Sequence, residues 1–376
     1  MYIRQKQFDN LANSLSPGKV VVIYGPRRTG KTTLIQQFLQ GMGEPYLLVS
    51  GEDITVQGYL ASQSIEKLTS FVGAKHLLVV DEAQKIPNVG LNLKLIVDHI
   101  PHMRVIATGS SSFDLARSVG EPLTGRKTTL KLFPLAQMEI GQIEHRHQTV
   151  ANLESRLIYG AYPEVVLSPD IRQRESYLRE IVASYLYKDV LELDGIRQAA
   201  KIGRLLQMIA LQVGKEVSFT ELGTGLGMNT KTVERYLDLL EKAFVVRRFS
   251  GFSRNLRSEI VKNSRYYFLD NGIRNALINN FNLLDLRNDV GQLWENYLVM
   301  ERLKKQEYLG EPANNYFWRT YEQQEIDLVE ERGGKLCGYE MKWGAAEAKP
   351  PKAWLKAYPQ ATWQMVNRQN YLEWIT

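Results

Sequence analysis

The chain has 376 residues, 44% of them hydrophobic, with 47 Lys or Arg against 41 Asp or Glu and a pI near 9.1. Its length exceeds the ~250–300 residues at which single cores stop growing, so two or more domains are expected, and its one cysteine, Cys337, excludes a disulfide framework within the chain and points to a reducing cytoplasm. The N-terminal MYIRQKQFDNLANSLSPG lacks the apolar core of a signal peptide and no later run approaches a membrane span, which implies a soluble cytoplasmic protein with no membrane partner.

The first module spans about residues 1–150. In VVIYGPRRTGKTTLIQQFL an apolar run, Val20 to Ile23, predicts a buried strand, and Leu34, Ile35, Phe38 and Leu39 recur at helical spacing after it. Between them Gly25, Gly30, Lys31 and Thr32 fit G-x-x-x-x-G-K-S/T, a phosphate-binding loop running through Pro26, Arg27, Arg28 and Thr29 and into Thr33. Glycines let backbone N–H groups close around phosphate, the following helix points its positive end at the anion, and Lys31 reaches the β and γ oxygens. Thr32 offers a hydroxyl to Mg²⁺, so the expected ligands are ATP and Mg²⁺. Downstream, HLLVVDEAQ ends an apolar strand in Asp81 and Glu82, a pattern in which Asp81 holds the metal and Glu82 polarises the attacking water; the bland reading is a helix start.

A further strand, RVIATGSSS, ends in small polar residues where Ser110 or Ser111 suits a γ-phosphate sensor. Arg126, after Gly125, is either an arginine finger on a neighbouring subunit's nucleotide or a surface residue in a turn. The series GPRRTGKTTL, LLVVDEAQ, TGSSSFDL, LTGR, FPLAQMEI and GAYPEVV resembles the bacterial and archaeal AAA-type ATPases that carry a C-terminal domain of unknown function, DUF4143. That resemblance covers essentially the whole chain. It implies an α/β P-loop NTPase core with an AAA-like parallel sheet, a helical lid, a winged helix and a restriction-endonuclease-like terminal α/β domain. One departure is Lys188 before Asp189, where Arg is the family's residue, and Lys does not replace a bidentate Arg.

Residues 151–205 show helical periodicity around a Gly-Ala-Tyr-Pro turn and suit a lid, with Tyr162 and Pro163 either touching a base or plugging the turn. Residues 206–255 suit a winged helix: Ser218 and Glu221 can cap a short helix, and Val233, Tyr236, Leu237 and Leu240 make the apolar face of a second. Residues 231–265 hold nine Lys or Arg against four Asp or Glu, a net +5. Lys231, Thr232 and Arg235, with Arg247 and Arg248 in the following strand, are the candidate DNA contacts; packing between subunits is the alternative use of such a module.

Residues 256–376 place Glu295 on a helix, Asp327 on a strand, and Glu340 and Lys342 two apart on the next, hence on one face. Glu295, Asp327 and Glu340-x-Lys342 resemble the PD-(D/E)XK nuclease site, in which carboxylates hold Mg²⁺ and the lysine activates water. DUF4143 is expected over roughly 206–376. Three functions remain open: a homo-oligomeric Mg²⁺-dependent ATPase coupling nucleotide state to DNA, an ATP switch binding protein partners, and an ATP-gated nuclease.

Overall fold

Apolar runs without alternation become strands covered on both faces. The strands β1 (Val20–Tyr24), β2 (Tyr46–Ser50), β3 (Leu77–Asp81), β4 (Arg104–Gly109) and β5 (Lys127–Lys131) form a parallel sheet in the order β2-β3-β4-β1-β5. The computed structural model describes residues 2–109, 123–186, 199–253, 264–344 and 347–376. It divides into two units, Tyr2–Pro134 with Lys242–Phe244, and Leu135–Glu241 with Val245–Thr376.

In the first unit, side chains of β1 alternate between two cores. Val20 and Val22 pack with Leu60, Leu68 and Leu93, which come from α3 (Ile54–Leu60), α4 (Ile65–Val72) and α5 (Val89–His99). Val21 and Ile23 pack with Leu11, Leu34 and Ile35 from α1 (Gln7–Ser14) and α2 (Lys31–Gln40). Burying each such side chain is worth about 1.5–3 kcal/mol, so helices on both faces hold the strands, as parallel sheets require. The edge strand β2 alternates, exposing Tyr46 and Leu48.

The second unit carries a mixed sheet of seven strands: β6 (Glu216–Val217), β7 (Val246–Gly251), β8 (Ser264–Phe268), β9 (Asn314–Arg319), β10 (Glu325–Arg332), β11 (Lys335–Met341) and β12 (Thr362–Val366), ordered β12-β11-β10-β9-β7-β8-β6. Around it lie α6 (Leu153–Tyr159), α7 (Ile171–Glu180), α8 (Ala199–Leu211), α9 (Phe219–Leu226), α10 (Thr230–Lys242), α11 (Asn271–Leu277) and α12 (Val290–Leu309). Ser218 caps α9 by accepting from the Glu221 N–H at 3.3 Å, and the α10 stripe Val233, Tyr236, Leu237 and Leu240 is buried. The parallel pairing of β7 with β9, Ser250 against Tyr316, joins strands from either side of residue 255 into one sheet. Between β9 and β10 the register shifts between Ile326 and Val329, an irregularity across Asp327 and Leu328. Lys188 and Asp189 lie outside the described residues.

The Gly-Ala-Tyr-Pro turn is fixed by a carboxylate. Asp270, buried at the start of α11, accepts from the Ala161 N–H at 2.7 Å and the Gly272 N–H at 2.8 Å. Gly160 has φ +72°, and a Cβ there would stand 2.0 Å from Asp270 Oδ1. Tyr162 is buried beside it. Gly160→Ala therefore combines left-handed strain with displacement of a buried carboxylate and is expected to cost more than about 2 kcal/mol. Urea unfolding checks this; an unchanged midpoint with unchanged slope would show that the turn is not held this way.

Candidate functional site

The phosphate-loop motif occupies the turn from β1 into α2. Gly30, with φ +95°, is the N-cap of α2, and a Cβ on Gly25 would stand 2.0 Å from the Leu132 carbonyl oxygen, so neither position accepts a larger residue in this path. Thr29 is buried and turns inward: its hydroxyl donates to the Pro26 carbonyl at 2.9 Å, while its carbonyl accepts from Gln5 Nε2 at 2.8 Å. Arg28 sits at φ 65°. The Lys31 ammonium, also buried, donates to the carbonyls of Gly25 at 2.9 Å and Pro26 at 2.8 Å, so it lies folded over the loop. Arg27 is half-buried, whereas Thr32 and Thr33 are exposed.

Because β4 is inserted between β1 and β3, the C-terminal ends of all three strands converge on Asp81. Thr32 Oγ1 donates to Asp81 Oδ2 at 2.9 Å, and the buried Thr108 hydroxyl, near the end of β4, donates to Asp81 Oδ1. The Glu82 N–H donates to Thr108 Oγ1 at 3.2 Å. Glu82 is held in the left-handed region at φ 52°, ψ 42°, strain of about 1–3 kcal/mol that surrounding contacts offset. One of these is the Gly51 N–H, which donates to the Asp81 carbonyl at 2.7 Å. Gln84 Nε2 donates to the Glu82 carboxylate. The hydroxyl and carboxylate oxygens of Thr32 and Asp81 are hard donors that fit Mg²⁺ beside a loop that fits phosphates.

Arg126 stands at the opposite, N-terminal end of the strands, just before β5. Its carbonyl accepts from the Val20 N–H at 2.8 Å, one strand length or roughly 16 Å from the phosphate loop. Its guanidinium, half-exposed, pairs with Asp98 at 3.0 Å. Ser110 and Ser111 lie outside the described residues.

In the second unit two of the expected nuclease residues, Glu295 and Asp327, flank a guanidinium that sequence reasoning missed. Arg265, on β8, stands 2.9 Å from Glu325, 3.7 Å from Glu295 and 3.9 Å from Asp327. Glu295 accepts from the Tyr267 hydroxyl at 2.7 Å, and Asp327 Oδ2 accepts from the Met341 N–H at 2.8 Å. Lys342 pairs with Glu340 at 2.6 Å. Burial pushes the Glu295 carboxyl up to about 7 against the pull of Arg265, and burial followed by the fields of Glu295 and Glu340 holds Asp327 well above the usual carboxylate range. Among the described residues, no three His, Cys, Asp or Glu side chains form a group able to hold a metal ion.

The basic segment divides in the same way. Lys231 and Arg235 are exposed along α10, and Thr232 lies in its first turn with its N–H donating to Asn229 Oδ1 at 2.8 Å. Arg247 pairs with Glu241 at 3.1 Å. Arg248 donates through Nε to Ser264 at 2.8 Å and lies over the Phe219 ring. Its tie to Ser264 stabilises the β7–β8 pair, and Arg265 is 4% exposed, so the net +5 is not one outward face.

Family models match the chain in three consecutive stretches: an AAA domain at residues 17–141, a domain of unknown function (DUF8612) at 150–284, and the domain of unknown function DUF4143 at 290–370. The chain joins an AAA domain to a C-terminal DUF4143 domain. An uncharacterized protein of Mycobacterium tuberculosis is 29% identical to this AAA–DUF4143 chain over 337 residues, which cover 88% of the chain and 72% of that protein. An uncharacterized protein of Methanocaldococcus jannaschii is 24% identical over 334 residues, covering 84% and 73%. The solved Walker-type ATPase of Pyrococcus abyssi shares the fold at TM-score 0.50 and 15% identity, covering 74% of this chain and 96% of that one. The parallel P-loop NTPase-like sheet is thus common to both, and among the described residues no helix is long and apolar enough to cross a membrane.

Sequence reading missed Gln5, Thr108 and Gln84, none of which belongs to the loop motif. Thr108 carried a signal in retrospect, a hydroxyl near the end of an otherwise apolar strand, RVIATG. Thr108→Val keeps the shape but removes both the donor to Asp81 and the acceptor for Glu82. It is expected to lower Mg²⁺-dependent ATP turnover by about 10–100-fold, on the order of 1.4–2.7 kcal/mol, while metal-free nucleotide affinity stays within twofold. Parallel turnover and fluorescent-nucleotide titrations test it, and wild-type turnover would remove Thr108 from the site.

Proposed function

We propose that this AAA–DUF4143 chain binds and hydrolyses ATP with Mg²⁺ and couples nucleotide state to nucleic-acid engagement by its C-terminal half. The observation that carries the reading is the hydrogen-bonded series joining the phosphate loop, Asp81 and Glu82 through Thr32 and Thr108. In this reading the loop N–H groups and Lys31 hold the phosphates, with the Lys31 ammonium exchanging the carbonyls of Gly25 and Pro26 for phosphate oxygens. Thr32 and Asp81 hold Mg²⁺, which supplies neutralisation of the developing phosphate charge. Glu82 orients the attacking water once its carboxylate leaves Gln84. Arg126, at the end of its own strands away from the phosphate loop, serves a neighbouring copy's nucleotide in a homo-oligomer. Residues 206–255 act as a winged helix, presenting Lys231 and Arg235, and residues 256–376 supply a nuclease-like scaffold.

Lys31→Ala is expected to lower ATP affinity at least tenfold, whereas Glu82→Gln keeps affinity and loses turnover by about 100-fold or more, because only the water-positioning carboxylate is removed. If both variants hydrolyse ATP at the parental rate, the site is misassigned.

DNA engagement through α10 predicts affinity that falls with salt, and Lys231→Ala with Arg235→Ala should flatten the log–log slope by about 2 while leaving ATP turnover without DNA unchanged. Binding that ignores salt, or none to duplex, single-stranded or branched DNA, would instead favour a protein partner for the C-terminal half.

A further inference from the structure

The carboxylates that resemble a nuclease metal site already enclose a positive charge. Arg265 projects from β8 between Glu295 on α12 and Asp327 on β10, with Glu325 closing the third side at 2.9 Å. Its side chain is 5% exposed and stacks on the Phe317 ring at 4.6 Å, so the guanidinium is fixed by packing as well as by charge. Further partners hold the cluster: the Met341 N–H donates to Asp327 Oδ2, the Tyr267 hydroxyl to Glu295 Oε1, and Lys342 pairs with Glu340. A divalent ion bound to the oxygens of Glu295 and Asp327 would stand about 2.1 Å from each, and therefore within roughly 6 Å of the Arg265 nitrogen that lies 3.7–3.9 Å from the same oxygens. Two desolvated cations at that separation repel, and Arg265 cannot lose its proton to relieve the repulsion. Burial adds a second restraint: Asp327 is 7% and Glu340 9% exposed, so each carboxylate presents little surface to solvent.

We propose that Arg265 is the resident cation of this cluster, standing where a nuclease of this architecture would hold a divalent metal, and that the terminal domain is a metal-free nuclease-like scaffold. The guanidinium links β8, α12 and β10 through their acidic side chains. The carboxylates Glu295 and Asp327 then serve the internal ion pair rather than hydrolysis.

The test is Mn²⁺ binding to the full chain without nucleotide, read from the loss of the free-ion spin-resonance signal, in an Asp81→Asn background that silences the first unit's metal donors. The Arg265-bearing protein is expected to show no Mn²⁺ binding that depends on Asp327. Arg265→Ala, confirmed as folded by circular dichroism, is expected to gain one Mn²⁺ with at least about tenfold higher affinity, and Asp327→Asn added to it should abolish the gain. Mn²⁺ bound by the Arg265-bearing protein and lost in Asp327→Asn overturns the proposal, as does a folded Arg265→Ala that gains no ion. If Arg265→Ala does not fold, thermal melting of the Arg265-bearing protein decides. An unchanged Tm in millimolar Mn²⁺ supports the resident cation, and a rise that Asp327→Asn removes overturns it.

Discussion

Asp81 depends on hydroxyls that stand far from it in the chain, at Thr32 and Thr108. Its two carboxylate oxygens are taken by hydroxyls from α2 and from β4, and this is possible only because β4 inserts between β1 and β3 in the parallel sheet. The left-handed backbone at Glu82 sits at the same junction, where its N–H reaches Thr108 and the Gly51 backbone lies so close that an added Cβ would stand 2.4 Å from the Glu82 carbonyl oxygen. Strand order thus determines side-chain chemistry here. Breaking the order would release Asp81 and Glu82 even with the phosphate-loop motif intact.

The phosphate loop and the parallel core were legible in the sequence because both are local. An unbroken apolar run reads as a strand buried on two faces, and the spacing from Gly25 to Thr32 is set within one turn. Thr108, Gln5 and Gln84 were not, since each acts on the motif through a hydrogen bond from outside it. The second unit shows the same divide. The α10 stripe is a period within one helix, whereas the position of Arg265 beside Asp327 arises from packing of strands far apart in the chain. A count of basic residues from 231 to 265 gave every charge equal weight, and it cannot distinguish exposed Lys231 from Arg265, which is enclosed by carboxylates.

The carboxylate cluster and the phosphate loop use charge differently. At the loop, Lys31 bonds to neutral carbonyls, which an anion can displace without leaving a buried charge unpaired. At the cluster, Arg265 faces ionisable partners, and separating them would strand charges in a desolvated interior. The first arrangement suits exchange and the second suits permanence.

The seven-stranded sheet also bears on how the molecule can be taken apart. A fragment cut at residue 255 would leave β7 on one piece and β8 to β12 on the other, baring the edge of β9 that pairs with Ser250 and Gly251. Unpaired edges of that kind recruit other strands, so such a fragment would self-associate whatever its native oligomeric state. Lys231 and Asp327 belong to one compact unit, and its sheet closes across residue 255, so the two halves named in the sequence are not separable there.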